Sequence, residues 1–166
     1  MTKVETISLG CRLNIAESDA IKAALEGELS EADAPVVIVN SCAVTNEAVR
    51  QTRQAIRRAK RENERAQVIV TGCAAQTDPA MFAAMPEVAG VVGNGEKSDA
   101  RAFLGFDRAN DKLRVADIFE IRETNPHLAA SFSDRARAFL EVQNGCDHRC
   151  TFSIIPYAPG PSRSVP

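Results

Sequence analysis

Residues 36–58, VVIVNSCAVTNEAVRQTRQAIRR, decide the fold. Four consecutive β-branched residues, Val36, Val37, Ile38 and Val39, predict a short strand buried on both faces. A polar turn then delivers Cys42 just before an amphipathic helix. Cys42 is thereby placed at a strand's carboxyl end, the edge of an open parallel sheet where loops and helix N-termini border a crevice. The pattern occurs twice more: 4–9 (VETISL) leads through Gly10 to Cys11 and a helix, and 68–71 (VIVT) leads through Gly72 to Cys73. The steps from 11 to 42 and from 42 to 73 are both 31 residues, the length of one strand, loop and helix unit. The expected class is α/β, an open and mainly parallel sheet with flanking helices and three cysteines along one edge.

Outward from that stretch, 14–26 predicts a first helix with apolar residues Ala20, Ala23 and Ala24, ending at Gly27. The second helix begins at Thr45 or Asn46, either of which suits an N-cap, and runs to about residue 63. Val49, Ile56 and Ala59 form its apolar side. Its other side is basic: Arg50, Arg53, Arg57 and Arg61 share one face, with Arg58, Lys60 and Arg65 nearby. Guanidinium groups in such a stripe suit RNA phosphates. A solvated helix face, relieved by Glu62 and Glu64, is the alternative.

Beyond Cys73, Asp78 and Pro79 open a short helix over 79–85, and 88–92 supplies a fourth strand. GNGEK, residues 93–97, lacks the third glycine of a nucleotide-binding fingerprint and reads as a turn into a helix ending near Leu104. Mixed polarity and Pro126 make 105–134 a linker, with a strand over 113–118. RAFLEV, 137–142, is strand-like and opens a new unit that carries QNGCDHRCTFS. Three regions are expected: an α/β domain over 1–105, a linker over 106–134 and a second domain beginning at 135–166.

Composition narrows the function classes. Apolar content of 45% and charged content of 25% are ordinary for a soluble globular chain. No apolar run approaches the roughly 18 residues needed to span a bilayer. The opening MTKVETISLGC has no secretion signal, so the expected compartment is the cytoplasm, with no membrane partner. In that compartment five cysteines point to metal or thiol chemistry instead of disulfides. A net charge of -2 gives no global attraction to nucleic acid, so any RNA contact must be a local patch.

A lone strand-end cysteine is commonly a small buried apolar residue. Three at one topological position, each in a loop, point to a shared metal site. Thiolates select zinc, copper(I) or iron-sulfur clusters. Zinc sites favour closely spaced pairs plus a fourth ligand. Cys11, Cys42 and Cys73 come from three distant loops and number three, which suits a cubane cluster with one iron open to an outside ligand. A second constellation is Cys146, Cys150 and, three residues on, Ser153. A cysteine there would complete CxxxCxxC, the mark of radical S-adenosylmethionine enzymes. A serine hydroxyl is far less acidic than a thiol and a poorer iron ligand, so the site as written is impaired. His148 lies in the same loop but matches no ligand position.

Together SLGCRLNIAES (8–18), NSCAVTNEA (40–48), TGCAAQ (71–76), VVGNGEK (91–97) and FLEVQNGCDHRCTF (139–152) resemble the methylthiotransferase family, in order and over essentially the whole chain. CRLN at 11–14 and TNEAVRQTRQ at 45–54 are most similar to the bacterial branch that modifies tRNA N6-threonylcarbamoyladenosine. The resemblance implies a two-cluster enzyme. Cys11, Cys42 and Cys73 would hold an auxiliary 4Fe-4S cluster; Cys146, Cys150 and the position of Ser153 would hold the radical S-adenosylmethionine cluster. It further implies reductive cleavage of S-adenosylmethionine, activation of adenine C2, and transfer of a methylthio group. tRNA and an electron donor are the implied partners.

The family continues CTFCIIPYGRGPSRS where this chain has CTFSIIPYAPGPSRS at 150–164, so Ser153, Ala158 and Pro159 depart from it. With these departures and only the start of the barrel, the expectation is an N-terminal piece or decayed copy, inactive alone. Two other functions stay open. One is a non-catalytic iron-sulfur module for sulfur or electron transfer or RNA docking; the other is a flavodoxin-like domain with incidental cysteines.

Overall fold

The structure, a computed structural model, describes residues 4–29, 34–106, 111–121 and 142–164. Its core is a parallel sheet of β1 (Val4–Ser8), β2 (Val36–Ser41), β3 (Gln67–Gly72), β4 (Val88–Val92) and β5 (Leu113–Arg114), in the order β1-β2-β3-β4-β5. All six residues of β2 are buried, as its apolar run requires. Each of its four β-branched side chains contributes about 1.5–3 kcal/mol by leaving water. The α/β class and the parallel sheet expected from the repeats are thus observed.

The helix α1 (Arg12–Glu28) buries Asn14, Glu17, Ser18, Ile21 and Leu25. The expected apolar face is corrected here: Ala23 and Ala24 are exposed and Ala20 is half-buried. The buried positions follow helical spacing, but their N-terminal half is polar because it faces the ends of the strands. Helix α2 (Asn46–Glu62) starts where expected, with Thr45 as N-cap: its Oγ1 accepts the Ala48 N–H at 3.1 Å. Thr52, Ile56 and Ala59 are its buried residues, and Val49 is half-buried.

Two short helices replace the single one expected after Cys73, α3 (Cys73–Thr77) and α4 (Pro79–Ala83), with Asp78 capping α4 by accepting the Met81 N–H at 3.1 Å. The helix expected to end near Leu104 is only a 3-10 turn, Ala100–Phe103. The strand expected over 113–118 shrinks to β5, and a second 3-10 turn follows at Ile118–Glu120. Leu113 and Arg114, inside the expected linker, pair with Val91 and Val92 and so extend the sheet. Of the expected strand 137–142, all but Val142 lies outside the described residues. A small antiparallel pair, β6 (Gln143–Asn144) with β7 (Arg163–Ser164), closes the loop that carries Cys146, Cys150 and Ser153.

Alternation along β2 divides the core. Val37 and Val39 pack with Ile56 and Ala59 of α2 and Phe82 of α4; Val36 and Ile38 pack with Ile21 and Leu25 of α1 and with Phe103. α1 and α2 therefore cover opposite faces, although β1, β2 and β3 follow one another across the sheet. The two crossovers have opposite hands, against the strong right-handed preference of parallel connections. Sequential strand order sets the loops after β1, β2 and β3 side by side, at the roughly 4.8 Å spacing of neighbouring strands.

Candidate metal centre

Register carries the three cysteines to one edge. Ser41 pairs with Gly72, so one further residue sets Cys42 abreast of Cys73; Ser8 pairs with Asn40, so two further residues set Gly10 abreast of Cys42. The backbone of Gly10 lies against the Cys42 side chain. A Cβ there would stand 2.6 Å from the Cys42 Cβ and 2.8 Å from its Sγ. Gly10 has φ 105 and Gly72 φ 92, left-handed values that favour glycine at both turns into a cysteine. All three thiols are free; Cys42 is buried, Cys73 half-buried and Cys11 exposed.

The trio is electrostatically joined. Burial pushes the Cys73 thiol up to about 11; Lys97 works against that shift, while Glu17, Cys11 and Cys42 add to it. Metal binding needs the thiolate, so loading this site must release a proton. Among the described residues, no three histidine, cysteine or acidic side chains are close enough to grip one metal ion. In a cubane each cysteine meets a different iron, so three thiols delivered from the ends of three adjacent strands suit a cluster better than a single ion.

Beneath the cysteine loops lies a buried polar layer of Asn14, Glu17, Ser18, Asn40, Ser41, Thr71 and Lys97. Asn14 Nδ2 donates to the Leu9 carbonyl at 2.7 Å and the Ser41 carbonyl at 3.0 Å, tying the first loop to the second. Its Oδ1 accepts from Cys11 Sγ at 3.5 Å. Asn40 Nδ2 donates to Asn14 O at 3.0 Å and stands 3.4 Å from Glu17 Oε2. Ser41 Oγ donates to the Thr71 carbonyl and accepts the Ala75 N–H at 3.1 Å, tying the second loop to the third. Lys97 Nζ lies 2.6 Å from Glu17 Oε1, with side chains only 6% and 1% exposed, and donates to Asn94 Oδ1 at 2.8 Å. Residue type alone does not announce this layer, because charged side chains such as Glu17 and Lys97 are seldom buried. The signal was the polar Asn40-Ser41 pair closing an otherwise apolar strand.

The second constellation is built differently. The Cys146 N–H donates to Gly160 O at 3.0 Å, and the Ser162 N–H to Asp147 Oδ1 at 2.9 Å, pinning both ends of the loop. Cys146 is half-buried and Cys150 exposed; Phe152, 91% exposed, points outward. Ser153 Oγ accepts the Ile155 N–H at 3.4 Å. Arg149 lies over the rings of Phe119 and Tyr157, at 5.0 and 5.8 Å. Ala158 and Pro159 are buried. Ala158 has φ -107, which a side chain adopts freely, and its carbonyl accepts from Asn94 Nδ2 at 2.9 Å. The methyl group in place of glycine is thus accommodated.

The basic face of α2 divides in two. Arg50 is held by Glu47 through two bonds of 2.7 Å, which raises the arginine and lowers the carboxyl. Arg57, Arg58 and Arg61, with Gln51 and Gln54, border a cleft of about 650 Å³ floored by Ile7 and Leu9. Arg57 also stands 3.8 Å from Glu87, and Arg53 is exposed.

Fold and site together define an α/β domain that gathers three thiols at adjacent strand ends. A family model described as "Uncharacterized protein family UPF0004" matches residues 3–93, and the chain belongs to that family. It is 51% identical over 162 residues to the threonylcarbamoyladenosine tRNA methylthiotransferase MtaB of Rickettsia prowazekii, covering 98% of this chain and 37% of that protein. It is 40% identical to the MtaB of Aquifex aeolicus, covering 98% and 42%. The ribosomal protein uS12 methylthiotransferase RimO of Pelotomaculum thermopropionicum is 33% identical, covering 98% and 38%. The resemblance to methylthiotransferases therefore holds along the chain, which spans about two fifths of the length of these relatives. Among the described residues, no helix is long and apolar enough to cross a membrane.

Proposed function

We propose that this chain supplies the thiol-rich domain of a cytoplasmic radical S-adenosylmethionine methylthiotransferase acting on N6-threonylcarbamoyladenosine in tRNA. The observation that carries the reading is the meeting of Cys11, Cys42 and Cys73 at the ends of three adjacent strands. The names of the two MtaB relatives support the substrate. Cys11, Cys42 and Cys73 hold the auxiliary 4Fe-4S cluster; Cys146 and Cys150 belong to the second, with Ser153 in its third position. When bound, the clusters supply one-electron reduction of S-adenosylmethionine and an open iron for the sulfur to be transferred.

The chain's own residues do the rest. Asn14 fixes the loops of Cys11 and Cys42 to each other, and Ser41 fixes the loop of Cys42 to that of Cys73. Arg50, Arg53, Arg57 and Arg61 offer guanidinium groups to tRNA phosphates. Ser153 supports a second reading, a non-catalytic iron-sulfur module. Its hydroxyl is engaged by the Ile155 N–H and is a weak iron ligand.

Anaerobic reconstitution with iron and sulfide tests the first site: about four irons per chain are expected, lost in Cys42→Ala. A chain that binds no iron with all three cysteines intact overturns the reading. Ser153→Cys distinguishes the two functions. A gain of about four further irons and of S-adenosylmethionine cleavage under a one-electron reductant marks a catalytic site lacking one ligand; no gain marks the module.

A further inference from the structure

A buried ion pair between Lys97 and Glu17 has no use in the chemistry so far. Such pairs add little to stability, because desolvating two charges cancels most of their attraction. Its place in the fold is informative. Glu17 lies on α1, which begins directly after Cys11. Lys97 lies in the loop after β4; its Nζ donates to Asn94 Oδ1, and the Asn94 N–H donates to Gln76 Oε1 on α3, the helix that Cys73 opens. Asn40, two residues before Cys42, reaches both Glu17 Oε2 and the carbonyl of Asn14. The pair is therefore tied to the segments of all three cysteines.

We propose that Lys97 is a positioning residue for charge: its ammonium, held by Glu17 and Asn94, offsets the negative charge gathered where Cys11, Cys42 and Cys73 meet. The inference rests on the reading of that trio as an iron-sulfur site. Three thiolates on one cluster concentrate anionic charge at a half-buried sheet edge, and each added electron increases it. A fixed cation in a water-poor interior acts on that charge much more strongly than one in solvent. Glu17 keeps the ammonium in place and limits its effect, so the two residues pull the cluster's electron affinity in opposite directions.

Potentiometry read by electron paramagnetic resonance tests this on the reconstituted chain, in a Cys146→Ala, Cys150→Ala background that leaves only the first site. Lys97→Met is expected to move the midpoint potential to more negative values and Glu17→Gln to more positive ones. Lys97→Arg is expected to match the wild type. Opposed shifts at unchanged iron content are a signature that a merely structural role would not give. Unmoved potentials, or shifts of the same sign, overturn the inference while leaving the cluster site standing. A parent chain without iron overturns the site and the inference with it. Should Lys97→Met fail to fold, Glu17→Gln decides by its sign.

Discussion

Replacing Gly72 by alanine probes the turn that delivers Cys73. Gly72 has φ 92 and ψ -169, a region populated almost only by glycine, and forcing a side chain into it costs about 1–3 kcal/mol. The new methyl group has no room either. Its Cβ would lie 2.7 Å from the Ser41 nitrogen and closer still to the Ser41 carbonyl and Asn40 Oδ1. Ser41 is backbone in the middle of the sheet edge and cannot swing aside, so overpacking adds about another 1–3 kcal/mol. The expected loss is about 2–6 kcal/mol, a large share of the roughly 5–15 kcal/mol that holds a domain of this kind. Urea unfolding followed by far-ultraviolet circular dichroism measures it. Gly27→Ala is the internal control: it lies near the end of α1 with nothing within 4 Å of a built Cβ, and should gain about 0.4–1 kcal/mol. A Gly72→Ala chain within about 0.5 kcal/mol of wild type would refute the argument from backbone conformation and contact.

Three further outcomes are expected. Thr45→Ala removes the cap of α2 and should cost about 1 kcal/mol by the same urea assay, with Thr45→Ser restoring most of it. In the metal-free chain the Cys73 thiol is raised from 9.0 to about 11, so the folded state holds that proton more tightly than the unfolded one. This contribution is complete below pH 9 and disappears as pH rises through about 11; it is at most about 3 kcal/mol, and the stability of wild type should fall relative to that of Cys73→Ser over that window. Reversing Arg53 and Arg57 to Glu should weaken tRNA binding and flatten its dependence on salt, read by filter binding at several ionic strengths; unchanged binding would return that face to solvated surface.

What the residues announced, and what they hid, follows from how each element meets water. β2 and α2 were legible because one is apolar throughout and the other carries Ile56 and Ala59 opposite a row of arginines. The three cysteines were legible through their even spacing, which a sheet with sequential strands converts into a common edge. The buried stripe of α1 starts polar, at Asn14, Glu17 and Ser18, so small apolar Ala23 and Ala24 imitate an inner face that the helix does not have. β5 is shorter than its sequence suggests, since Val115 and Ala116 continue its apolar character, while Asp117 turns the chain by accepting the Phe119 N–H. The Lys97–Glu17 pair could not be read from spacing, since its partners lie 80 residues apart and meet only through the folded sheet.

The strand order also fixes when each part of the site becomes available. Synthesis runs from the N-terminus, and β1, β2 and β3 can pair in the order in which they are made. Cys11, Cys42 and Cys73 are thus all present once α3 has been made. Glu17 is already on α1 at that moment, whereas Lys97 arrives only after β4 has added to the sheet. Until the loop after β4 is made, the ammonium that meets Glu17 in the folded domain is absent.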